Sequence, residues 1–427
     1  MLVLMFVVLT VLMFVGMPVA LAMGISALMV VVLRGEVAPM VLAQRMFVGV
    51  DSLPLLAIPF FILAGELMER GGISLRLIRF AAALIGHVKG GLAMVTIVAS
   101  MIFAGISGSA AADTSAIGSI MMPAMIKRGY KRGFVVTLQA SAGTIGPIIP
   151  PSILMIVYGS MTNLSIGQLF LAGVVPGVLV GLSLMALTYY YAVKDGYEGE
   201  ARVSIKETRS AFWNALPALA LPFAIIGGIL GGIFTATEAG VSAVVYALIV
   251  GFFVYRDLKP RELPQILARA ATTSMGLMFI VANAAMFGWV LAREEFPRLT
   301  VGLLTSLTTD PNVIIILIIA FLALVGCFIE TMAAMIILVP VLFATGAAYH
   351  FDPVHFAMVI VVMLLIGTIT PPVGILLYLT CSMTRTPIAE AMKYVIPFAA
   401  AMLAVVLLIA YVPELTLFIP RLFFGGR

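Results

Sequence analysis

Apolar segments approaching the length of a bilayer follow one another along almost the whole chain, and no other feature restricts its folding so strongly. A spanning helix needs roughly 20 mainly apolar residues, because the hydrocarbon layer is about 30 Å thick. On that measure about ten to twelve segments are candidates, some too short or too interrupted to be simple spans. Inside hydrocarbon every backbone N–H and C=O must find a partner within the protein, which leaves helices and closed barrels. Barrel strands would be about ten residues long with alternating polarity, and these segments are neither. The expected fold class is all-α, a polytopic membrane protein. With 63% hydrophobic and 10% charged residues, no range reads as a separate soluble domain. The opening MLVLMFVVLTVLMFVGMPVA lacks a charged n-region and a small-residue cleavage site, so a retained span is expected there.

Charge then orients the chain. Three loops carry half of the 24 lysines and arginines: KRGYKR at 127–132, the stretch 194–210 and the stretch 256–269. An excess of basic residues marks cytoplasmic loops, and the net charge of +5 therefore points to no nucleic acid. The 194–210 stretch, which also holds Asp195, Glu198, Glu200 and Glu207, reads as an amphipathic surface segment joining two halves. Cys327 and Cys381 are the only cysteines, too few for a disulfide framework. His87, His350 and His355 have no metal-ligand spacing, and His350 and His355 are expected in a loop.

The chain repeats itself. Residues 145–151 read IGPIIPP and residues 366–372 read IGTITPP; Gly146 and Gly367, like Pro150 and Pro371, stand 221 residues apart, and Gly105 and Gly326 fall on the same offset. The loop before the first copy is the basic KRGYKR, whereas its counterpart GAAYHFDPVH at 346–355 has no lysine or arginine. Equivalent loops of opposite charge bias lie on opposite sides of the membrane, the mark of an inverted-topology repeat. Pro150-Pro151 and Pro371-Pro372 each remove two donors and disfavour helix in the preceding residue. Both segments, 134–160 and 356–381, are therefore expected to be helices broken near mid-depth.

Residues 105–123 read GISGSAAADTSAIGSIMMP, which fails as a plain span. Residues 92–125 are expected to form a re-entrant hairpin with a Gly/Ser tip, and residues near 322–345, with VGCFIETMAAM at the tip, a second one. Small residues also mark tight helix packing, but that explains the glycines and alanines without explaining Asp113 or Glu330. A carboxylate within a span costs roughly 2.5 kcal/mol or more at the centre, so each needs an ion, a donor or a cavity. Broken helices expose carbonyls at one half-helix end, suited to a hard cation, and N–H groups at the other, suited to a carboxylate.

GISGSAAADTSAIGSIMMPAM, GPIIPPSILMIVYG and GTITPPVGILLYL together resemble the large membrane subunit of tripartite ATP-independent periplasmic (TRAP) transporters, the DctM/SiaM type, over essentially the whole chain. The resemblance implies sodium-coupled import of an organic acid, a C4-dicarboxylate, sialic acid or similar carboxylate, across the bacterial inner membrane by an elevator movement. It implies a small four-helix membrane subunit of the DctQ/SiaQ type and a periplasmic substrate-binding protein of the DctP/SiaP type as partners, membrane lipid around them, sodium as coupling ion and no cofactor. Substrate would be handled by Ser107, Ser109, Asp113, Pro150 and Ser152. Sodium would be held by Ser107, Gly108, Gly143, Thr144, Gly146, Gly326, Glu330, Thr331, Gly367, Thr368 and Thr370. The implied division is scaffold helices at 1–90, a first transport half at 91–195, a central loop and scaffold helices at 196–290, and a second transport half with a C-terminal helix at 291–427. A sodium–dicarboxylate or citrate symporter needing no binding protein is the alternative. Enzyme activity is not expected: no lysine follows a glycine, so there is no Walker A motif, and a Ser/His protease needs a histidine beside its serine.

Overall fold

The computed structural model describes residues 1–425, and every regular element among them is helical. The first half runs α1 (Leu2–Phe14), α2 (Val19–Arg34), α3 (Met40–Val50), α4 (Ala57–Arg70), α5 (Ile73–Ile85), α6 (Gly91–Ser107), α7 (Ala110–Lys127), α8 (Arg132–Gly143), α9 (Ile153–Thr162) and α10 (Ile166–Asp195). The second half runs α11 (Ile205–Leu230), α12 (Ala236–Ile249), α13 (Leu263–Arg293), α14 (Phe296–Leu307), α15 (Pro311–Phe328), α16 (Thr331–Ala348), α17 (Pro353–Gly367), α18 (Ile375–Thr384), α19 (Ile388–Tyr411) and α20 (Glu414–Phe424).

The repeat is visible element by element. Helices α7 and α16 have 18 residues each and start at 110 and 331, the 221-residue offset of the Pro-Pro segments. Helices α9 and α18 have ten residues each and start at 153 and 375. The offset has become 222, so one extra residue separates the second Pro-Pro pair from its helix, beside Gly374 at φ +36°. The unbroken 31-residue α13 matches the whole of 40–70, where the first half instead bends by 63° between α3 and α4.

Among the described residues seven helices are long and apolar enough to cross a bilayer, but length alone misreads two of them. Helices α15 and α16 are counted as spans by composition, yet both leave from one side: the Tyr349 hydroxyl, just past α16, donates to the Thr308 carbonyl, just before α15, at 2.8 Å. The first hairpin is anchored likewise. The Gly90 N–H bonds the Tyr197 carbonyl at 2.9 Å and Arg128 pairs with Glu200 at 3.1 Å, so α6 and α7 begin and end against the same segment. Both pairs are re-entrant hairpins. In contrast, α8 and α9 together cross once. At 1.5 Å per residue they measure about 18 and 15 Å, which puts the break between them near mid-depth.

The basic loops gather at one end. Lys131 pairs with Asp195 at 2.7 Å, an ion pair that raises the lysine pKa, and Arg76 pairs with Asp257 at 2.5 Å. At the far end Arg34 pairs with Glu294 at 2.8 Å and Arg293 with Glu36 at 2.9 Å; the hydrogen bond from Arg293 holds the Glu36 carboxyl below its ordinary pKa. Trp289 lies between the Arg45 and Arg293 guanidinium groups, 5.4 and 5.7 Å from its ring centre. Helix α5 buries Ile73, Leu77, Ile78 and Ala81 on one side and runs along the basic end.

Three expectations are corrected. The N-terminal apolar stretch is two helices, because Gly16 at φ +88° and Pro18 stop the first one, and α1 turns back onto α2. The 194–210 stretch lies at the surface as expected, but not as one element: α10 continues to Asp195, and α11 starts at Ile205 on a capping box between Ser204 and Glu207. His355 lies in the first turn of α17 rather than a loop, buried, with Nδ1 2.9 Å from the Thr416 hydroxyl.

Candidate functional site

The two hairpin tips rest on the two breaks. At the first tip Gly108 turns the chain at φ +61°, and a Cβ there would collide with the Pro151 carbonyl oxygen. Ser109 follows in extended conformation and caps α7, accepting the Ala112 N–H at 3.5 Å. At the second tip Gly326 and Gly367 meet backbone to backbone, and a Cβ on Gly326 would lie 3.1 Å from Gly367 Cα. Glu330 then caps α16, accepting the Ala333 N–H at 3.0 Å. Ser109 and Glu330 are thus the same repeat position, 221 residues apart. Asp113 is not the partner of Glu330; its counterpart is Ala334.

Behind the first tip lies a cluster of buried oxygens. The Ser107 hydroxyl donates to Asp113 Oδ1 and accepts the Ser109 N–H at 3.1 Å. Asp113 Oδ2 has no protein partner, and it sits where a Cβ on Gly146 would be. Thr114 Oγ1 is also without a partner and occupies the space above Gly143. Gln139, whose amide donates to the Thr114 carbonyl at 3.3 Å, adds an Oε1 that is likewise buried without a partner. A buried polar atom left unpaired costs roughly 1–3 kcal/mol, more when charged. Several together beside a carboxylate fit an oxygen-ligated cation, which prefers such a donor set.

Behind the second tip the hydroxyl oxygens are neutral and self-satisfied. Thr331 Oγ1 donates to the Leu364 carbonyl at 3.4 Å, and the Thr368 and Thr370 hydroxyls donate to Leu365 and Ile366 carbonyls at 2.6 and 2.8 Å. Thr144 behaves the same way in the first half, donating to Ser141 at 2.7 Å.

Between the tips is a cavity of about 190 Å³ whose wall includes Ser109–Ala111, Ile153, Leu154, Glu330–Met332, Ile375 and Leu376. These are the first residues of α7, α9, α16 and α18 or their caps. Four half-helix N-termini therefore face one small space, and each presents free N–H groups and about half a positive charge. The carbonyl ends of the partner half-helices, near Ser107, Gly143, Gly326 and Gly367, lie behind them.

The expected site residues sort by this geometry. Gly108, Ser109, Glu330, Thr331 and Thr368 line the cavity. Ser107, Asp113, Gly143 and Gly146 form the oxygen cluster behind the first tip. Gly326, Gly367 and Thr370 hold the second tip and break. Two residues are not brought to the cavity. The Ser152 hydroxyl donates to the Pro147 carbonyl at 2.6 Å and caps α9, so both its roles are taken. Pro150 packs behind the tip, its carbonyl 3.7 Å from where a Gly105 Cβ would be. Residues not singled out as site members are Thr114 and Gln139 beside the cluster, and Thr273 and Leu277 of α13 in the cavity wall. Polar letters inside the apolar 134–143 and 268–280 stretches were the available signal. His355 lies with Thr416, far along α17 from Ser107, so no Ser/His pair forms.

A bundle of two inverted repeats, each with a re-entrant hairpin aimed at a broken helix, is the architecture of a secondary transporter. It is shared with the YdaH transporter of Alcanivorax borkumensis (TM-score 0.62, 14% identity, covering 87% of this chain and 86% of that one) and with MtrF of Neisseria gonorrhoeae (TM-score 0.57, 14% identity, 86% and 82%), likenesses that speak for the fold alone. Residues 6–415 match the family model "Tripartite ATP-independent periplasmic transporter, DctM component", and the chain belongs to that family. It is 42% identical over 405 residues to the isethionate TRAP transporter permease protein DctMQ of Oleidesulfovibrio alaskensis, covering 95% of this chain and 64% of that longer protein. It is 38% identical to the C4-dicarboxylate TRAP transporter large permease protein DctM of Pseudomonas aeruginosa, with 94% of each covered. It is 37% identical to the sialic acid TRAP transporter large permease protein SiaM of Vibrio cholerae, with 97% of each covered. The chain is therefore a multi-pass inner-membrane transporter component and not an enzyme.

Proposed function

We propose that the chain imports an organic acid anion coupled to sodium, holding the acid between the two hairpin tips and a sodium ion in the oxygen cluster behind the first. The observation that carries the reading is the convergence of four half-helix N-termini on one cavity, backed by buried oxygens without partners. A helix N-terminus favours an anion through its free N–H groups and dipole. The oxygens around Asp113 favour a cation. Binding one charge lowers the cost of the other, which is the physical basis of coupling. Relatives named for C4-dicarboxylate, sialic acid and isethionate share the acid group as their common chemistry.

The tripartite family implies that the chain works with a small membrane subunit and a periplasmic binding protein that delivers the acid. Movement is of the elevator type. Helices α6–α10 and α15–α20 carry every tip and break and form the moving body; α1–α5 and α11–α14 form the scaffold. Helix α14, grouped by the sequence division at 291 with the second transport half, is the repeat counterpart of α5 and belongs with the scaffold arms. The test is uptake of radiolabelled acids into proteoliposomes holding the chain with its two partners. Accumulation should need an inward sodium gradient, and accumulation that a potassium gradient or ATP drives equally well would overturn the coupling.

A further inference from the structure

Fourteen of the sixteen residues lining the 190 Å³ cavity come from the hairpins and broken helices; the other two, Thr273 and Leu277, come from α13. They lie four apart, on one face of an unbroken helix. The residues beside Thr273 satisfy their own hydroxyls: Thr272 donates to the Ala268 carbonyl at 2.8 Å and Ser274 to the Ala270 carbonyl at 2.7 Å. Thr273 makes no such bond back to its helix; it is exposed and forms part of the cavity wall. A hydroxyl can donate and accept, so it can meet either a carboxylate oxygen or a hydroxyl on the bound molecule. The cavity is also small. Sites for drug-sized ligands measure about 300–1,000 Å³, and this space falls below that range. Leu277 bounds it one turn further along the same face.

We propose that Thr273 and Leu277 set the specificity of the acid site: the Thr273 hydroxyl contacts the end of a short acid anion remote from the hairpin tips, and Leu277 closes the site to longer ones. The proposal rests on the carboxylate reading of the cavity. It assigns selection within that site to a scaffold helix that no hairpin motif marks.

The probes are lactate, propionate, malate, succinate and N-acetylneuraminate, offered to cells deleted for this chain and complemented with each variant, so that the partner chains are present. Wild type should take up short acids from this set and not N-acetylneuraminate. Thr273→Val keeps the shape and removes the hydroxyl; it should raise the KM for the transported acid about tenfold, the scale of one lost hydrogen bond to a charged group, with kcat within twofold. Thr273→Ser should restore the KM. Thr272→Val, whose hydroxyl bonds only to its own helix, should leave it unchanged. Leu277→Ala should admit acids longer than wild type accepts. An unchanged KM in Thr273→Val for every transported acid overturns the assignment while leaving the acid-site reading intact. So does a loss of kcat in Thr273→Val that serine fails to rescue, which would mark a structural role. Failure of wild type to take up any acid removes both readings.

Discussion

Replacing Asp113 with asparagine isolates the charge at the oxygen cluster. The amide keeps the size of the side chain and an oxygen to accept the Ser107 hydroxyl, but it removes the negative charge from a position with no exposed surface. A carboxylate at mid-span costs roughly 2.5–3.5 kcal/mol on insertion scales, and Oδ2 has no protein group to relieve it. In potassium medium Asp113→Asn should therefore be at least as stable as wild type, by as much as about 2–3 kcal/mol if the full cost is recovered. Sodium should reverse the order. An ion that binds the folded state alone adds RT ln(1 + [Na+]/Kd), about 2.7 kcal/mol at a hundredfold excess, and each further tenfold adds about 1.4 kcal/mol. The assay is thermal unfolding of the detergent-solubilised protein, followed by size-exclusion recovery, with sodium exchanged for potassium at constant ionic strength so that screening is unchanged. The wild-type midpoint should climb with the logarithm of sodium concentration, and the Asp113→Asn midpoint should stay flat. A variant that keeps the wild-type sodium response, or a wild type that responds equally to potassium, refutes the assignment of the cluster to a coupling ion.

Two other perturbations read the tips and the movement. At Gly367 a Cβ would be driven into the backbone of Gly326, so Gly367→Ala should destabilise the protein by roughly 1–3 kcal/mol through overpacking and abolish uptake, whereas Gly302→Ala, with open space around it, should be harmless; normal uptake by Gly367→Ala would contradict the tip–break contact. Ser52, in the bend between α3 and α4, lies 3.1 Å from Ser160 of α9, oxygen to oxygen, joining scaffold to moving body; in a Cys327→Ala, Cys381→Ala background, oxidation of Ser52→Cys with Ser160→Cys should stop uptake and reductant should restore it. Undiminished uptake by the cross-linked protein would rule out separation at this contact.

Much of this arrangement was legible because broken helices leave marks that packing cannot erase. Proline pairs remove donors wherever they stand, and the glycines at 146 and 367 have the space of a side chain taken by Asp113 Oδ2 and by the Gly326 backbone. Those are local facts, and the sequence carries them. The hairpins were legible for a different reason, since a carboxylate in a Gly/Ser stretch has no place in lipid. What escaped was set by tertiary neighbours. Thr273 looks like any hydroxyl on a long helix; only the loss of its back-bond partner and the cavity beside it distinguish it from Thr272. Ser152, placed among the substrate residues by the family resemblance, uses its hydroxyl to cap α9 and to reach the Pro147 carbonyl. Thr114 and Gln139 are ordinary polar letters until their oxygens are found buried and unpaired beside each other.

The repeat supplies symmetric geometry, and the two acids break the symmetry in a way that assigns different work to the halves. Had the acids been repeat partners, each tip would hold an equivalent charged site. Instead Asp113 sits one turn inside α7, facing back to Gly146 and away from the cavity, while Ala334 occupies that place in α16. Glu330 sits at the cap of α16, in the cavity wall, where the first half has the neutral Ser109. The first half therefore joins a charged, partner-poor oxygen cluster behind its tip to a neutral cap in front. The second half joins self-satisfied threonine hydroxyls behind to an acid in front. Glu330 offsets the positive end of its own helix, which leaves the N-termini of α7, α9 and α18 as the stronger anion sites and biases an acid toward the first tip. An anion drawn there comes closest to the cluster around Asp113, where a sodium ion would lie one helical turn away. Coupling between cation and acid should accordingly be stronger through the first half than the second: Asp113→Asn should weaken acid binding measured in saturating sodium by more than Thr331→Val does. Equal losses from the two substitutions would mean that the halves contribute alike and that the placement of the acids has no bearing on coupling.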